Sequence, residues 1–305
     1  MKIDIYQTVY DHKTADMVSP FAQPLPIDNS EAQLFEYQCY RKMLNEGLHK
    51  NCDYIGLFSP KFSQKSKQSV LDTLHWIHRN PGYDIYTFNP FPHEAYFFFN
   101  QWDSGEFHHP GLKDLARSVF DAFGFQDIDL FPRMAVERVV YCNFWVASGK
   151  FFSRYVEFLN EVTGFILQRP EQFLADTRHR GGMTPFFPFL IERLFSTYLH
   201  EHRKEVSVRA LTYPKSCYAA LMESGSPADF ERRSLHLNLV VDKIDALDAQ
   251  YRNGEGREEH RQLFEQLNSQ ARREVSQLHA ARLQAPELLS ANYRSLILPE
   301  SLSCS

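Results

Sequence analysis

Two segments of this 305-residue chain carry residue types that could bind a phosphate or serve as a site acid. The first runs Asp53-Tyr54-Ile55-Gly56-Leu57-Phe58 into Ser59-Pro60-Lys61-Phe62, with further lysines at Lys65 and Lys67. A short apolar run closed by Ser-Pro reads as a buried strand. In an α/β sheet the carboxyl ends of strands border the ligand crevice, so lysines there put positive charge where a phosphate can sit. A solvated helix start accounts for the same lysines without a ligand, and by pattern alone it is the commoner outcome. In the second segment, Phe189 to Leu199, the pair Glu192-Arg193 interrupts an otherwise apolar helix. Such a pair is either an internal salt bridge, the commoner case, or a site acid with its partner.

Other chemistries find little support. His93, Glu94, His108 and His109 read as surface-loop residues, since adjacent histidines point apart and no His-Glu-x-x-His occurs. There is no Gly-x-Ser-x-Gly elbow, no Gly-rich phosphate loop, and no context that would activate Cys217. The five cysteines (39, 52, 142, 217 and 304) form no Cys-x-x-Cys pair, so neither a disulfide framework nor a thiolate metal site is expected. A net charge of -5 argues against nucleic acid as a partner. No stretch approaches the ~18 apolar residues of a membrane span. The first residues lack a signal-peptide core. The reading is a protein of the reducing cytoplasm. Its 26 Phe and 15 Tyr predict large buried aromatic clusters.

These residues need elements to hold them. The patterns predict strands over 2–10, 53–58, 83–88 and 139–146, with an edge strand over 206–213. Helices are expected over 70–78, 112–123, 150–167 and 189–200, and another after caps at Asp28-Asn29-Ser30. The proline-rich stretch 19–26 reads as irregular and Gly181 to Pro185 as a flexible joint. A helical hairpin follows over roughly 230–285. Strands alternating with helices predict a parallel or mixed sheet covered by helices.

In order, these segments resemble the bacterial glycosyltransferase-like families related to capsular polysaccharide synthesis glycosyltransferases. The matching residues are Tyr54-Ile55-Gly56-Leu57, Tyr83-Asp84-Ile85 with Pro90 and Pro92, Asn143-Phe144-Trp145 and Glu192-Arg193-Leu194. Pro24-Leu25-Pro26-Ile27-Asp28-Asn29 and Ser59-Pro60-Lys61-Phe62 resemble a closer subgroup. The resemblance covers about residues 1–215. It departs where the capsular group has His-Tyr-Arg-Arg after the Gly strand.

The resemblance implies an α/β, GT-A-like mixed sheet flanked by helices over 1–225, with a helical extension over 226–305. It implies a transferase that takes a nucleotide sugar, UDP-linked first, to a glycan or lipid-linked acceptor of the bacterial surface (capsule, O-antigen or lipopolysaccharide), working in the cytoplasm at the inner membrane face. Lys61 and Lys65, with Ser59 and Asn29, are then expected on the donor. Glu192 is expected as base or acceptor-orienting acid, with Arg193 holding its charge, while Asn143 and Trp145 line the acceptor or the donor-sugar side. Asp127-Ile128-Asp129 spells an Asp-x-Asp motif but falls in an expected loop, so use of Mg or Mn stays open. The alternatives are a non-catalytic glycan- or nucleotide-binding relative and a scaffold that works through its hairpin. The hairpin stripe Leu263, Leu267, Ala271, Val275 and Leu278 is expected to pack within the chain first, and in a homodimer second.

Overall fold

Strand β1 (Ile3–Val9) is buried along five consecutive residues, as a strand covered on both faces must be. The computed structural model describes residues 1–28, 30–179, 182–222, 226–252 and 255–284. Beside β1 lie β2 (Gln23–Pro26), β3 (Tyr54–Phe58), β4 (Ile85–Thr87), β5 (Trp145–Ser148) and β8 (Val208–Ala210), while β6 (Asp176–His179) and β7 (Gly182–Pro185) pair apart. The main sheet has the order β2-β1-β3-β5-β4-β8. All its strands run one way except β5, which is antiparallel to both β3 and β4. The sheet is therefore mixed. The carboxyl ends of β1, β2, β3 and β4 share one edge with the start of β5.

Gly56 explains how β5 fits there. A methyl at that position would lie 2.7 Å from Val146 Cγ2, closer than real contacts come, and 3.0 Å from the Trp145 carbonyl oxygen, at their tight limit. The two backbones meet closely only because position 56 has no side chain.

The sheet and its helices form one compact unit, Met1–Pro90, Gln101–Phe131 and Glu137–Leu211. Its helices include α1 (Phe35–Asn45), α2 (Phe62–Ser66), α3 (Val70–Arg79), α4 (Leu112–Phe123), α5 (Gly149–Leu167) and α6 (Phe187–Glu201). A capping box between Ser69 and Asp72 starts α3. On the β3 side, Phe58 stacks on Phe62 at 4.0 Å, with Phe88 and Phe144 edge-on.

Several expectations need correction. The proline stretch does form a strand, β2, tolerated because it lies at the sheet edge where a missing donor costs least. The strand expected over 139–146 is regular only from Trp145, because Cys142 and Asn143 turn left-handed at φ 62° and 52°. Residues 182–185, expected in a flexible joint, pair antiparallel with 176–179, while Gly181 lies outside the described residues. Asp28 accepts from the amide and hydroxyl of Ser30 rather than capping a helix, and α1 begins only after a 3-10 turn, Ala32–Leu34.

The second unit comprises Phe91–Asn100, Pro132–Val136 and the described residues from Thr212 on. Its long helices are α7 (Pro227–Gln250), capped by Ser226, and α8 (Arg257–Gln284). Leu237, Val240, Val241, Ile244 and Leu247 of α7 form one core with Phe264 and Ala271 of α8 and with Tyr96 and Phe99. Leu263 and Leu267 pack on it, and Val275 and Leu278 cluster with Leu235, so the hairpin stripe is covered inside this unit. Arg133 pairs with both oxygens of Asp248 at 3.1 Å and donates to the carbonyls of Phe98, Phe99 and Met134. That network ties the unit's three chain segments together.

Candidate functional site

In the first unit, the edge where the parallel strands end collects two acids, a lysine, a thiol and an amide. Lys65, half-buried on α2 just beyond β3, donates to Cys142 Sγ at 3.4 Å. The Cys142 amide donates to Glu192 Oε2 of α6 at 2.7 Å. The Asn143 side-chain amide donates to Glu36 Oε2 at 3.1 Å, from the first turn of α1. The Tyr10 hydroxyl, at the end of β1, senses the charges of Glu36 and Lys65. Five chain segments thus meet around Lys65.

The electrostatics follow from this crowding. Burial pushes Glu36 up to about 7; the Asn143 hydrogen bond and Lys65 oppose the shift, and the charge of Glu192 adds to it. Burial penalises the Lys65 ammonium, but the Cys142 sulfur, Glu192 and Glu36 more than offset that, so its pKa lies above the ordinary lysine value. Burial, then Glu192, pushes the Cys142 thiol up, so it is no nucleophile at neutral pH. The backbone is strained in the same place. Phe35, beside Glu36, has φ 47°, and Cys142 and Asn143 are both left-handed. Such residues cost on the order of 1–3 kcal/mol each and persist where the surroundings hold them.

Of the residues expected from sequence, Lys65, Asn143 and Glu192 come together here. Lys61 is exposed at the start of α2. The Ser59 carbonyl accepts from Gln7, and its hydroxyl is buried with no hydrogen-bond partner among the described residues. Asn29 lies outside the described residues. Trp145 is corrected to a core residue: it is fully buried, with Tyr40 and Phe195 stacked at 5.3 and 4.8 Å, so neither ring face is open to a sugar.

Arg193 reaches Glu192 at 3.6 Å but is mainly a strut. It is buried against Gly105, where a Cβ would meet its Nε at 2.5 Å, and it donates to the carbonyls of Gln101 and Phe189. Asp127 accepts from the Asp129 amide, and both acids pair with Arg117. Among the described residues no group of three or more His, Cys, Asp or Glu is set to hold a metal. His109 is buried and stacked on Phe189, not on a surface loop, and His93 is buried in the second unit.

Sequence reasoning missed Glu36 and Cys142. Glu36 carried a faint signal as a lone acid between Phe35 and Tyr37 in an apolar helix start. Cys142 carried none, because its place depends on a left-handed backbone that cysteine does not advertise. Comparison with family models, with curated proteins and with solved structures finds no match.

Proposed function

We propose that the chain is a GT-A-like glycosyltransferase, moving a sugar from a nucleotide-sugar donor, UDP-linked first, to a glycan or lipid-linked acceptor of the bacterial surface, in the cytoplasm at the inner membrane face. The observation that carries this reading is the pair of acids, Glu36 and Glu192, gathered around Lys65 where the parallel strands of a helix-flanked mixed sheet end. Departure of a nucleoside diphosphate leaves charge on the β-phosphate, which a cation must neutralise. Lys65, helped by exposed Lys61 beside it, supplies that charge. Transfer also needs a group to accept the proton of the attacking hydroxyl, and a carboxylate with a pKa near neutrality suits that task. The test is release of free nucleoside diphosphate from a panel of UDP- and GDP-sugars. Turnover with one donor supports the reading, and nucleotide binding without turnover on any donor supports a non-catalytic relative instead. The engagement of Asp127 and Asp129 by Arg117 is the observation that favours this second reading.

A further inference from the structure

We propose that Glu36, not Glu192, is the catalytic base of this transfer, and that Asn143 is its positioning residue. The inference rests on the transferase reading and adds the residue and the stereochemical course. Both acids are half-buried, but they are engaged differently. Glu192 holds the Cys142 amide at 2.7 Å and lies 3.6 Å from Arg193, so its charge is spent on the backbone turn and on a cation of its own. A carboxylate whose oxygens already engage a backbone N–H and a guanidinium is less free to receive an acceptor hydroxyl. Glu36 has one neutral donor, the Asn143 amide on Oε2, and no hydrogen-bond partner on Oε1 among the described residues.

Two strained backbone sites hold that single hydrogen bond: Phe35 precedes the acid, and Cys142-Asn143 carries the amide. Strain on both sides of one contact marks a geometry that the fold maintains against local preference. The groups that face Glu36 are Lys65 from α2, Glu192 from α6, Cys142 and Asn143 before β5, Tyr10 after β1, and Cys39 and Tyr40 on its own helix. Lys65 and the α1 dipole favour the carboxylate. Burial and Glu192 outweigh them, and the acid titrates at about 7.

The step balances as one displacement. The acceptor oxygen forms a bond to the anomeric carbon while the bond from that carbon to the β-phosphate oxygen breaks. The bonding pair leaves with the nucleoside diphosphate, and the acceptor proton passes to a Glu36 carboxylate oxygen. Direct displacement inverts the anomeric centre.

The experiment uses the full chain with the best donor of the panel, and water as the acceptor where none is supplied. It reads diphosphate release against pH, product anomer by NMR, and UDP affinity by calorimetry for wild type, Glu36→Gln, Glu36→Asp and Glu192→Gln. In the wild type release should fall as pH drops through about 7, where Glu36 gains its proton, and in Glu192→Gln the same limb should persist at lower pH, because the Glu192 charge that raises Glu36 is gone. Glu36→Gln should lose roughly 10²–10⁴-fold in rate and lose that acid limb, with UDP affinity kept. Should Glu36→Gln lose UDP affinity, Glu36→Asp decides: a displaced acid limb supports the assignment and an unmoved one overturns it. An acid limb unchanged in Glu36→Gln, its loss in Glu192→Gln instead, or a retained anomer also overturns it. No release from any donor by the wild type overturns the transferase reading itself, and is told apart because every variant is then equally silent.

Discussion

Lys65 balances two carboxylates, and its removal should be felt in both binding and titration. Lys65→Met should weaken UDP binding by about 1.5–3 kcal/mol, the value of a hydrogen bond to a charged group. It should also move the Glu36 titration upward, because the cation that opposes its shift is gone. Calorimetry and the pH profile read the two effects separately. Glu36 has a stability signature as well. A carboxyl whose folded pKa lies above its unfolded value destabilises the fold once pH exceeds the unfolded value, and by a full increment above the folded one. Glu36→Gln should therefore stabilise the fold at pH 8 by roughly 1–3 kcal/mol, seen as a higher melting temperature, and change it little near pH 4. Thermal melts at the two pH values check the sign. At this scale the sequence singled out Lys65, Asn143 and Glu192 by residue type but not their contacts, since Asn143 binds the Glu36 carboxylate and Glu192 the Cys142 amide. Trp145 was misread because an aromatic ring suits a sugar and a core equally, and only its neighbours Tyr40 and Phe195 distinguish the two.

Elements with a single strong period were the most legible. Helix α4 has the expected bounds, Leu112–Phe123, and α5 and α6 differ from expectation by a residue or two; one buried stripe defines α4 and α5, while α6 is buried all round from Arg193 to Leu199. Strands near the site were less so. β2 hides behind three prolines, and β5 is cut short by two left-handed residues, so both depend on position in the sheet rather than on propensity. The α7–α8 hairpin carries its own pH response. Burial pushes His93 down to about 4, against the pull of Glu94 and with the help of Arg233, and burial also lowers His236 despite its bond to Asn268. Histidines kept neutral when folded contribute stability that is complete above the unfolded value of about 6.5 and is lost as pH falls below it. Asp248 adds to this. Although burial opposes it, His260 and Arg133 hold its pKa below the ordinary value, so acid also weakens its pairing. Protection of the α7 and α8 amides, measured against the intrinsic exchange rate at each pH, should fall from pH 6.5 towards 4. Equal protection across that range would show that these histidines do not limit the hairpin. The three tryptophans, Trp76, Trp102 and Trp145, belong to the first unit, so their fluorescence offers a separate monitor of it.

For the whole molecule, among the described residues no helix is long and apolar enough to cross a membrane. The second unit is no detachable tail. A chain stopped after Leu211 keeps every strand of the main sheet but leaves Ala95, Tyr96 and Phe99 without Leu237, Ile244 and Phe264. That truncation should aggregate or bind a hydrophobic dye, as seen by light scattering and dye fluorescence. A monodisperse, dye-silent product would show that the inserted segments close on themselves. The same threading has a consequence in time. Tyr96 hydrogen-bonds Asp245, 149 residues further along the chain. At the usual ~5–20 residues per second of synthesis, an apolar segment made early waits roughly 7–30 s for the helix that covers it. Throughout that interval the nascent chain offers Tyr96 and Phe99 to whatever else is near the ribosome, so yield in the cell should depend on translation speed and on chaperones that shelter exposed aromatic segments.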